Sequence, residues 1–191
     1  MIDSSSSSYY SKKTRLRELL QARSLRRGQF TLASGQQSSF YIDARITTMS
    51  GEGLALIGAM GYERITERGW RPQFVGGLTL GADPVAYSIA LAGQQRGSSL
   101  DAFTVRKQAK DHGTGKRIEG CFLPGAPIVI VEDVITTGKS ALQAIEAVAQ
   151  EGGKVVGILA VVDREEGGRG ALEKAGYQVE ALITAAELGV R

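Results

Sequence analysis

Two nearly uninterrupted apolar runs constrain the fold of this chain more than any other feature of its sequence. Residues 128–131 read Ile-Val-Ile-Val, and residues 155–162 contain only apolar side chains and one glycine. Runs that are apolar on both faces of a strand are typical of parallel sheets covered by helices on both sides, because a sheet with one wet face alternates apolar and polar positions. The two runs therefore predict a doubly wound α/β fold with a central parallel sheet.

Further strands and helices alternate around these two runs. We predict strands at residues 74–76 and 102–106, a helix that Asp83 caps ahead of Pro84, and a helix over residues 140–151. In a doubly wound sheet, ligands bind beyond the carboxyl ends of the strands. A functional site is therefore expected in the loops that follow the predicted strands.

The N-terminal quarter departs from this pattern. Three leucines at helical spacing predict an amphipathic helix over residues 13–26, which Gly28 ends. β-Forming residues on either side of a polar turn then predict two short strands, the first beginning at Phe30 and the second at residues 40–42. This segment is expected to lie beside the sheet.

The length and composition indicate one domain. A chain of 191 residues with 42% hydrophobic side chains is long enough to bury one sizeable core and short for two. Five consecutive serines follow Asp3, and such a run has nothing to bury. We therefore predict a disordered leader over residues 1–11, followed by a single domain over residues 12–191.

The charge of the chain limits the classes of partner. The formal net charge is +3, and basic residues gather at residues 12–27 and 106–117 without interleaved aromatic side chains. Small anionic substrates account for this pattern as well as nucleic acid does. We expect no nucleic-acid partner.

Two features that the sequence lacks bear on the cellular location of the chain. No stretch approaches the roughly 20 apolar residues that a membrane span needs, so no membrane association is expected. The single cysteine, Cys121, has no partner for an internal disulfide. This favours a reducing cytoplasm as the setting.

The loop after residues 128–131 contains, in order, Glu132, Asp133, Val134, Ile135, Thr136, Thr137, Gly138, Lys139 and Ser140. Glycine lets backbone N–H groups approach an anion, hydroxyls add donors, and the N-terminus of the following helix adds a favourable partial charge. Glu132 and Asp133 would repel a phosphate and therefore suit ribose hydroxyls or hydrated Mg²⁺. The loop predicts a cradle for a phosphorylated ribose, with an ordinary capped helix as the alternative.

This loop resembles the phosphoribosyl pyrophosphate motif of the type I phosphoribosyltransferases. The resemblance implies a central parallel sheet flanked by helices with a small N-terminal hood, which we place mainly at residues 12–48, ahead of a core at residues 49–191. It also implies that residues 132–140 bind the sugar pyrophosphate. In that assignment residues 136–140 bind the 5-phosphate, Glu132 and Asp133 hold the ribose hydroxyls, and Asp133 takes part in catalysis.

A basic loop follows the strand predicted at residues 102–106. It reads Arg-Lys-Gln-Ala-Lys-Asp-His-Gly from residue 106, and its glycines suit a lid that closes over pyrophosphate; a solvated surface loop is the alternative. The spacing is similar to the mobile catalytic loop of the orotate phosphoribosyltransferases. This implies that Arg106, Lys107, Lys110 and His112 bind pyrophosphate, with Lys110 and His112 catalytic. In that branch the loop reaches the neighbouring subunit, which implies a homodimer.

The hood also resembles the orotate branch. Residues 30–35, followed by Phe40 and Tyr41, are similar to the segment that places an aromatic wall beside orotate. An aromatic hairpin that only closes the core is the alternative. Many relatives carry a lysine where this chain has Ala33, so no cation is assigned there.

A glycine-rich segment at residues 76–84 is expected to pass the pyrophosphate, because close approach of backbone to a ligand calls for glycine. Plain turn chemistry is the alternative. Relatives carry a lysine in this segment, whereas this chain has Thr79 and Leu80. Individual contacts in the segment are therefore left unassigned.

Arg164 follows the second apolar run at the predicted carboxyl edge of the sheet. A guanidinium fork matches a carboxylate bidentately, and orotate differs from the other common bases by carrying one. Arg164 is the predicted carboxylate reader, and the resemblance places Thr136 beside the same base. An ion pair with Glu165 or Glu166 is the alternative.

These features predict transfer of a 5-phosphoribosyl group to orotate from a sugar pyrophosphate whose Mg²⁺ is held mainly through substrate and water. The resemblance places this reaction in the de novo pyrimidine route to UMP. A phosphoribosyltransferase for a purine or uracil and a non-catalytic sensor of the sugar pyrophosphate stay open as alternatives. The complete basic loop, with Lys110 and His112, argues against the sensor.

Overall fold

The computed structural model describes residues 4–31, 37–108 and 117–190. The helices in these ranges are α1 (Ser4–Leu19), α2 (Arg45–Thr48), α3 (Gly51–Glu67), α4 (Ala82–Gln94), α5 (Lys139–Gln150) and α6 (Gly168–Lys174). The strands are β1 (Leu25–Thr31), β2 (Gln37–Ile42), β3 (Phe74–Leu78), β4 (Asp101–Val105), β5 (Ile118–Gly120), β6 (Pro127–Ile135), β7 (Lys154–Asp163) and β8 (Val179–Thr184). No helix in the described part of the chain is long and apolar enough to cross a membrane.

The central sheet confirms the fold predicted from the two apolar runs. Its strand order is β5-β4-β3-β6-β7-β8, and every neighbouring pair is parallel except β4 with β5. The runs lie within β6 and β7, which pair with each other. Val129 and Val131 belong to one buried cluster, whereas Ile128 and Ile130 belong to the other. Both faces of the sheet are therefore covered, as the unbroken apolar pattern requires.

The N-terminal segment forms a separate two-stranded antiparallel sheet from β1 and β2. The helix predicted over residues 13–26 is wrong at its end, because α1 stops at Leu19, a π-helical turn follows, and β1 begins at Leu25. Leu25 pairs with Ile42 across the hairpin, and this pairing overrides the helical spacing. Gly28 does not end a helix but lies in an irregularity of β1, between Arg27 and Phe30.

The structure differs from the predicted disordered leader, since α1 is helical from Ser4. Tyr9 explains how part of the serine-rich segment is held. The guanidinium of Arg64 lies 5.0 Å from the centre of the Tyr9 ring and its Nη2 donates to the Tyr9 hydroxyl at 2.8 Å. Lys12 forms an ion pair with Glu63 on the same helix as Arg64. These contacts fix the start of α1 against α3.

Several elements were not predicted, namely α2, α3, α6, β5 and β8. The longest of them, α3, presents glycine as well as leucine and isoleucine along its length, including the buried Gly53, Gly58 and Gly61. Glycine contributes no apolar side chain, so the 3.6-residue period is weak there. The short β5 pairs only with β4 at the sheet edge and offers too few residues for a pattern.

Candidate active site

Glu132 and Asp133 lie inside β6 and not in a loop beyond its end, which corrects the predicted strand boundary. The physical reason is that β6 stays paired with β7 as far as Ile135, opposite Asp163. Successive residues of a strand point to opposite faces. Glu132 accordingly lines a small cavity, whereas Asp133 lines a larger one.

The small cavity has a volume of about 70 Å³ and is bounded by Glu132 and residues 134–141. Its turn depends on Gly138, which has a φ of 79° and precedes the first residue of α5. A side chain there would be strained, and its Cβ would also lie 3.1 Å from the carbonyl oxygen of Gly168. The N-terminus of α5 offers N–H groups and a positive partial charge, so the cavity has the size and polarity to take a phosphate group.

The carboxylates of Glu132 and Asp133 are both held in a poorly solvated environment. Glu132 is 4% exposed, and its Oε1 has no hydrogen-bond partner in the described residues. Burial, with a smaller contribution from the charge of Asp133, raises the pKa of Glu132 to about 8. Burial also raises the pKa of Asp133, although a hydrogen bond from the Val134 N–H and the charge of Arg45 oppose the shift. A ligand that donates hydrogen bonds or brings positive charge would favour both ionised forms.

The larger cavity, of about 460 Å³, brings together residues from three separate segments of the chain. It is lined by Tyr41, Ile42, Asp43, Ala44, Arg45, Asp133, Val134, Thr136, Thr137, Lys139 and Arg164. It therefore joins residues predicted to bind the sugar pyrophosphate with three of those predicted to bind orotate. The fourth, Phe40, is 4% exposed and does not line the cavity. Its ring instead lies beneath Arg164, with 4.6 Å between the ring centre and Cζ.

Arg164 is almost fully buried although it lines this cavity, with 5% of the residue exposed. Its Nε and Nη2 donate to Oε1 of Glu166 at 3.0 and 2.7 Å, and Nη2 also donates to the Ser38 hydroxyl at 3.3 Å. The ion pair that the sequence left open is thus present with Glu166, whereas Glu165 accepts a hydrogen bond from the Ala186 N–H. Arg164 is thus paired with Glu166 and also lines the cavity.

The glycine-rich segment at residues 76–84 begins inside β3, and its predicted passage along the pyrophosphate stays a prediction. Gly77 belongs to β3 and is buried, and a Cβ added to it would lie 2.2 Å from the carbonyl oxygen of Val131. Its lack of a side chain therefore serves the packing of β3 against β6. The predicted cap is also wrong: Gly81 precedes α4 without a side-chain cap, and Asp83 lies in the first turn. Asp83 instead accepts hydrogen bonds from Thr79 and Thr104.

The basic loop is described only at its start. Arg106 and Lys107 follow β4 and are exposed, and Nη1 of Arg106 lies 3.3 Å from Oε1 of Glu119. Lys110 and His112 lie outside the described residues, as does Ala33 in the hood. Arg106 and Lys107 therefore lie at the carboxyl end of β4, next to β3.

Asp43 and Arg45 also line the larger cavity, and neither was predicted as a site residue. Oδ1 of Asp43 accepts from Nε of Arg45 at 2.8 Å, and Oδ2 accepts from Nη2 at 3.1 Å. This pairing lowers the pKa of Asp43. An acidic and a basic residue directly after an aromatic strand end were the available signal, but that pattern is common on protein surfaces.

Comparison with known proteins defines the class to which this fold and site belong. Residues 63–180 match the family described as "Phosphoribosyl transferase domain", in agreement with the central sheet and the loop at residues 132–140. The chain is 43% identical over 179 residues to "Orotate phosphoribosyltransferase" from Aquifex aeolicus, covering 92% of this chain and 97% of that protein.

Two solved structures of the Mycobacterium tuberculosis H37Rv orotate phosphoribosyltransferase are also similar. The complex with Fe(III) dicitrate has a TM-score of 0.83 and 42% identity, and the complex with 5-phospho-alpha-D-ribosyl 1-diphosphate has a TM-score of 0.78 and 40% identity. Each alignment covers 94% of this chain and 99% of the other. The chain belongs to the orotate phosphoribosyltransferase family.

Proposed function

We propose that this chain transfers the 5-phosphoribosyl group of 5-phosphoribosyl 1-diphosphate to orotate, giving orotidine 5-phosphate and diphosphate in the de novo route to UMP. The observation that carries the proposal is the cavity of about 460 Å³ that Arg164 shares with Asp133 and Thr136. Arg164, the predicted reader of the orotate carboxylate, and the segment predicted to bind the phosphorylated ribose thus line the same cavity. A cytoplasmic location belongs to the same proposal.

The sugar end of the substrate is assigned to the segment from β6 into α5. Residues 136–140 would hold the 5-phosphate at the N-terminus of α5, where N–H groups and hydroxyls converge. Glu132 and Asp133 would accept hydrogen bonds from the ribose hydroxyls, which gives the unpartnered Oε1 of Glu132 a donor. Val134 and Ile135 connect Glu132 and Asp133 to residues 136–140 along the backbone.

The base end is assigned to Arg164, Thr136 and Tyr41. Arg164 would bind the carboxylate of orotate with charge-assisted hydrogen bonds, which are stronger than neutral ones. Tyr41 lines the same cavity and is 38% exposed, so its ring is available to a planar base. Phe40 supports Arg164 from below.

The reaction breaks the bond between the anomeric carbon and the diphosphate oxygen, and a ring nitrogen of orotate forms the new bond to that carbon. Positive charge develops on the ribose and negative charge on the leaving diphosphate, so positioning and electrostatics supply the catalysis. Asp133 would stabilise the ribose. Arg106, Lys107, Lys110 and His112 would stabilise the diphosphate.

Mg²⁺ is proposed to bind mainly through substrate and water. No group of three or more His, Cys, Asp or Glu side chains suited to a metal ion occurs among residues 4–31, 37–108 and 117–190. The buried, unpartnered Oε1 of Glu132 beside Asp133 nevertheless fits a hydrated cation or the hydroxyls it accompanies. When bound, the ion would neutralise charge on the diphosphate, while the two carboxylates orient the ribose.

A homodimer is proposed to complete the site, and an apolar stripe on α4 supports it. Tyr87 and Leu91 are four residues apart in α4, so they share one face of the helix, and they are 52% and 60% exposed. Leu80, which precedes the helix, is 55% exposed. A second copy of the chain would cover this stripe. Because α4 packs on β4, a copy docked there would lie near the carboxyl end of β4, where Arg106 and Lys107 begin the basic loop.

Measurement of diphosphate release with orotate, adenine, guanine or uracil as the acceptor tests the proposed activity, with and without Mg²⁺. Turnover that depends on Mg²⁺ and is much faster with orotate than with the three other bases is expected. Product with a purine or uracil but none with orotate would assign the chain another base. Binding of 5-phosphoribosyl 1-diphosphate without turnover of any base would make it a sensor.

A further inference from the structure

The guanidinium of Arg164 is held by three groups that do not line the cavity it faces. Oε1 of Glu166 accepts hydrogen bonds from both Nε and Nη2, the hydroxyl of Ser38 accepts a third from Nη2, and the ring of Phe40 supports the guanidinium plane. Arg164 lines the cavity, whereas its three partners are not among the lining residues. The partners therefore hold the guanidinium from behind.

The contacts with Glu166 and Ser38 leave Nη1 of the guanidinium for a ligand. An arginine presents two edges to carboxylates, one formed by Nε with Nη2 and the other by Nη1 with Nη2. A single oxygen of Glu166 occupies the first edge, at 3.0 and 2.7 Å. On the second edge, Nη2 also donates to the Ser38 hydroxyl at 3.3 Å, whereas Nη1 donates no hydrogen bond within the described residues. Nη1 is therefore the group that a substrate carboxylate can engage with a charge-assisted hydrogen bond.

We propose that Glu166 is a positioning residue that fixes Arg164 so that its Nη1 group is ready for the carboxylate of the base. This inference rests on the proposed function and deepens it by assigning base selection to a pair of residues. Arginine has many rotamers, and a preorganised fork loses less entropy when it forms hydrogen bonds to a ligand. Glu166 would thereby act on the base without touching it.

Two other roles for Glu166 predict different effects on substrate binding. If Glu166 occupied Arg164 as a stand-in for the substrate carboxylate, removal of its charge would strengthen orotate binding. If its role were only structural, its removal would affect both substrates and the thermal stability together. The side chain of Glu166 is 28% exposed, so water can replace it without an empty space in the core.

Steady-state kinetics of three variants test the proposal. Glu166→Ala removes the contact and is expected to raise KM for orotate about tenfold, the scale of a lost hydrogen bond to a charged group, with KM for 5-phosphoribosyl 1-diphosphate unchanged. Glu166→Gln keeps an oxygen that can accept both hydrogen bonds and is expected to stay close to wild type. Glu166→Asp keeps the charge but has a shorter reach, so it is expected to resemble Glu166→Ala.

A matched control is Glu173→Ala, because Oε1 of Glu173 pairs with Nε of Arg169 at 2.9 Å on an exposed face of α6. Its kinetics should equal those of wild type. The proposal is overturned if orotate KM is unchanged or lower in Glu166→Ala, if Gln and Asp behave alike, or if both KM values rise together. Should Glu166→Ala not fold, the Gln and Asp variants decide.

The wild-type assay separates this inference from the proposed function. If wild type does not turn over orotate, the proposed function fails whatever the variants do. If wild type uses orotate and the three variants do not split as expected, only the role of Glu166 fails. The preference for orotate over uracil should fall in Glu166→Ala alongside the rise in orotate KM.

Discussion

Gly81 lies directly against the carboxylate of Asp133, so that a Cβ atom added to Gly81 would be 2.5 Å from Oδ1. Gly81 precedes α4, whereas Asp133 lies near the end of β6. The loop after β3 and the acidic pair of β6 therefore meet at one point. This places the glycine-rich segment beside the proposed ribose site, although its first glycines serve strand packing.

We expect Gly81→Ala to lower kcat/KM for 5-phosphoribosyl 1-diphosphate at least about tenfold, because a displacement near 1 Å at the chemistry has effects of this size or larger. Gly81 has a φ of −64°, so alanine is compatible with the backbone and the effect is steric. Gly51→Ala is the control, since Gly51 begins α3 and nothing lies within 4 Å of its added Cβ. Wild-type kinetics in Gly81→Ala would show that the contact has no part in the site.

The central strands were predictable from the sequence because a parallel strand covered on both faces is apolar along its length, whichever strands it pairs with. The runs at residues 128–131 and 155–162 lie where two helix-covered faces demand apolar side chains at every position. The boundaries were less predictable. Glu132 and Asp133 read as a loop because carboxylates are rare in buried strands, yet pairing with β7 keeps them in β6.

The site was predictable in part for a similar reason. The residues from Glu132 to Ser140 are contiguous, so their chemistry is readable before folding, and they do line adjoining cavities. The contacts of Arg164 with Ser38 and Phe40 join residues more than 120 positions apart. No local pattern encodes such a contact, and the same is true of Gly81 with Asp133.

The stability of the ligand-free protein should fall as pH rises through the pKa of Glu132. Burial raises that pKa from 4.5 to about 8, so the folded state holds a proton that the unfolded state releases. The contribution is fully present below about pH 4.5 and is lost as pH rises through about 8. At roughly 1.4 kcal/mol per pKa unit, the loss between these limits is on the order of 5 kcal/mol.

Glu132→Gln removes this titration, so its Tm relative to wild type should rise between pH 5 and pH 9 in thermal melts without ligand. Glu146→Gln, at an exposed position of α5, controls for the loss of one charge and should show no such trend. Parallel Tm curves for wild type and Glu132→Gln would contradict a buried, protonated Glu132. Asp133, whose pKa is raised in the same direction, would add to the wild-type decline.

Replacement of Arg164 should affect the base and not the sugar. Arg164→Lys retains the charge but not the fork, and we expect kcat/KM for orotate to fall at least about tenfold, since a bidentate site does not tolerate this exchange. KM for 5-phosphoribosyl 1-diphosphate should stay within about twofold, because a role confined to the base leaves sugar binding intact. Arg169→Lys, on an exposed face of α6, should be silent. Equal losses for orotate and uracil would remove Arg164 as the carboxylate reader.

Mixing two inactive variants tests whether the basic loop serves the neighbouring subunit. Lys110→Ala and Asp133→Asn should each reduce turnover about a hundredfold, the scale of a lost charge-stabilising donor. If the loop crosses the dimer, a mixed dimer contains one site with both residues intact. Random exchange of subunits in a two-fold dimer then restores up to about a quarter of wild-type activity.

The matched control for this exchange is a mixture of Lys110→Ala with His112→Ala. Both changes lie on the same loop, so neither site of a mixed dimer receives an intact loop and no activity should return. Recovery in the first mixture and not in the second therefore assigns Lys110 and Asp133 to different subunits of one site. Two affinity tags detect whether mixed dimers form. If they form and the first mixture stays inactive, each loop serves its own subunit. The exposed stripe at Tyr87 and Leu91 then needs another explanation.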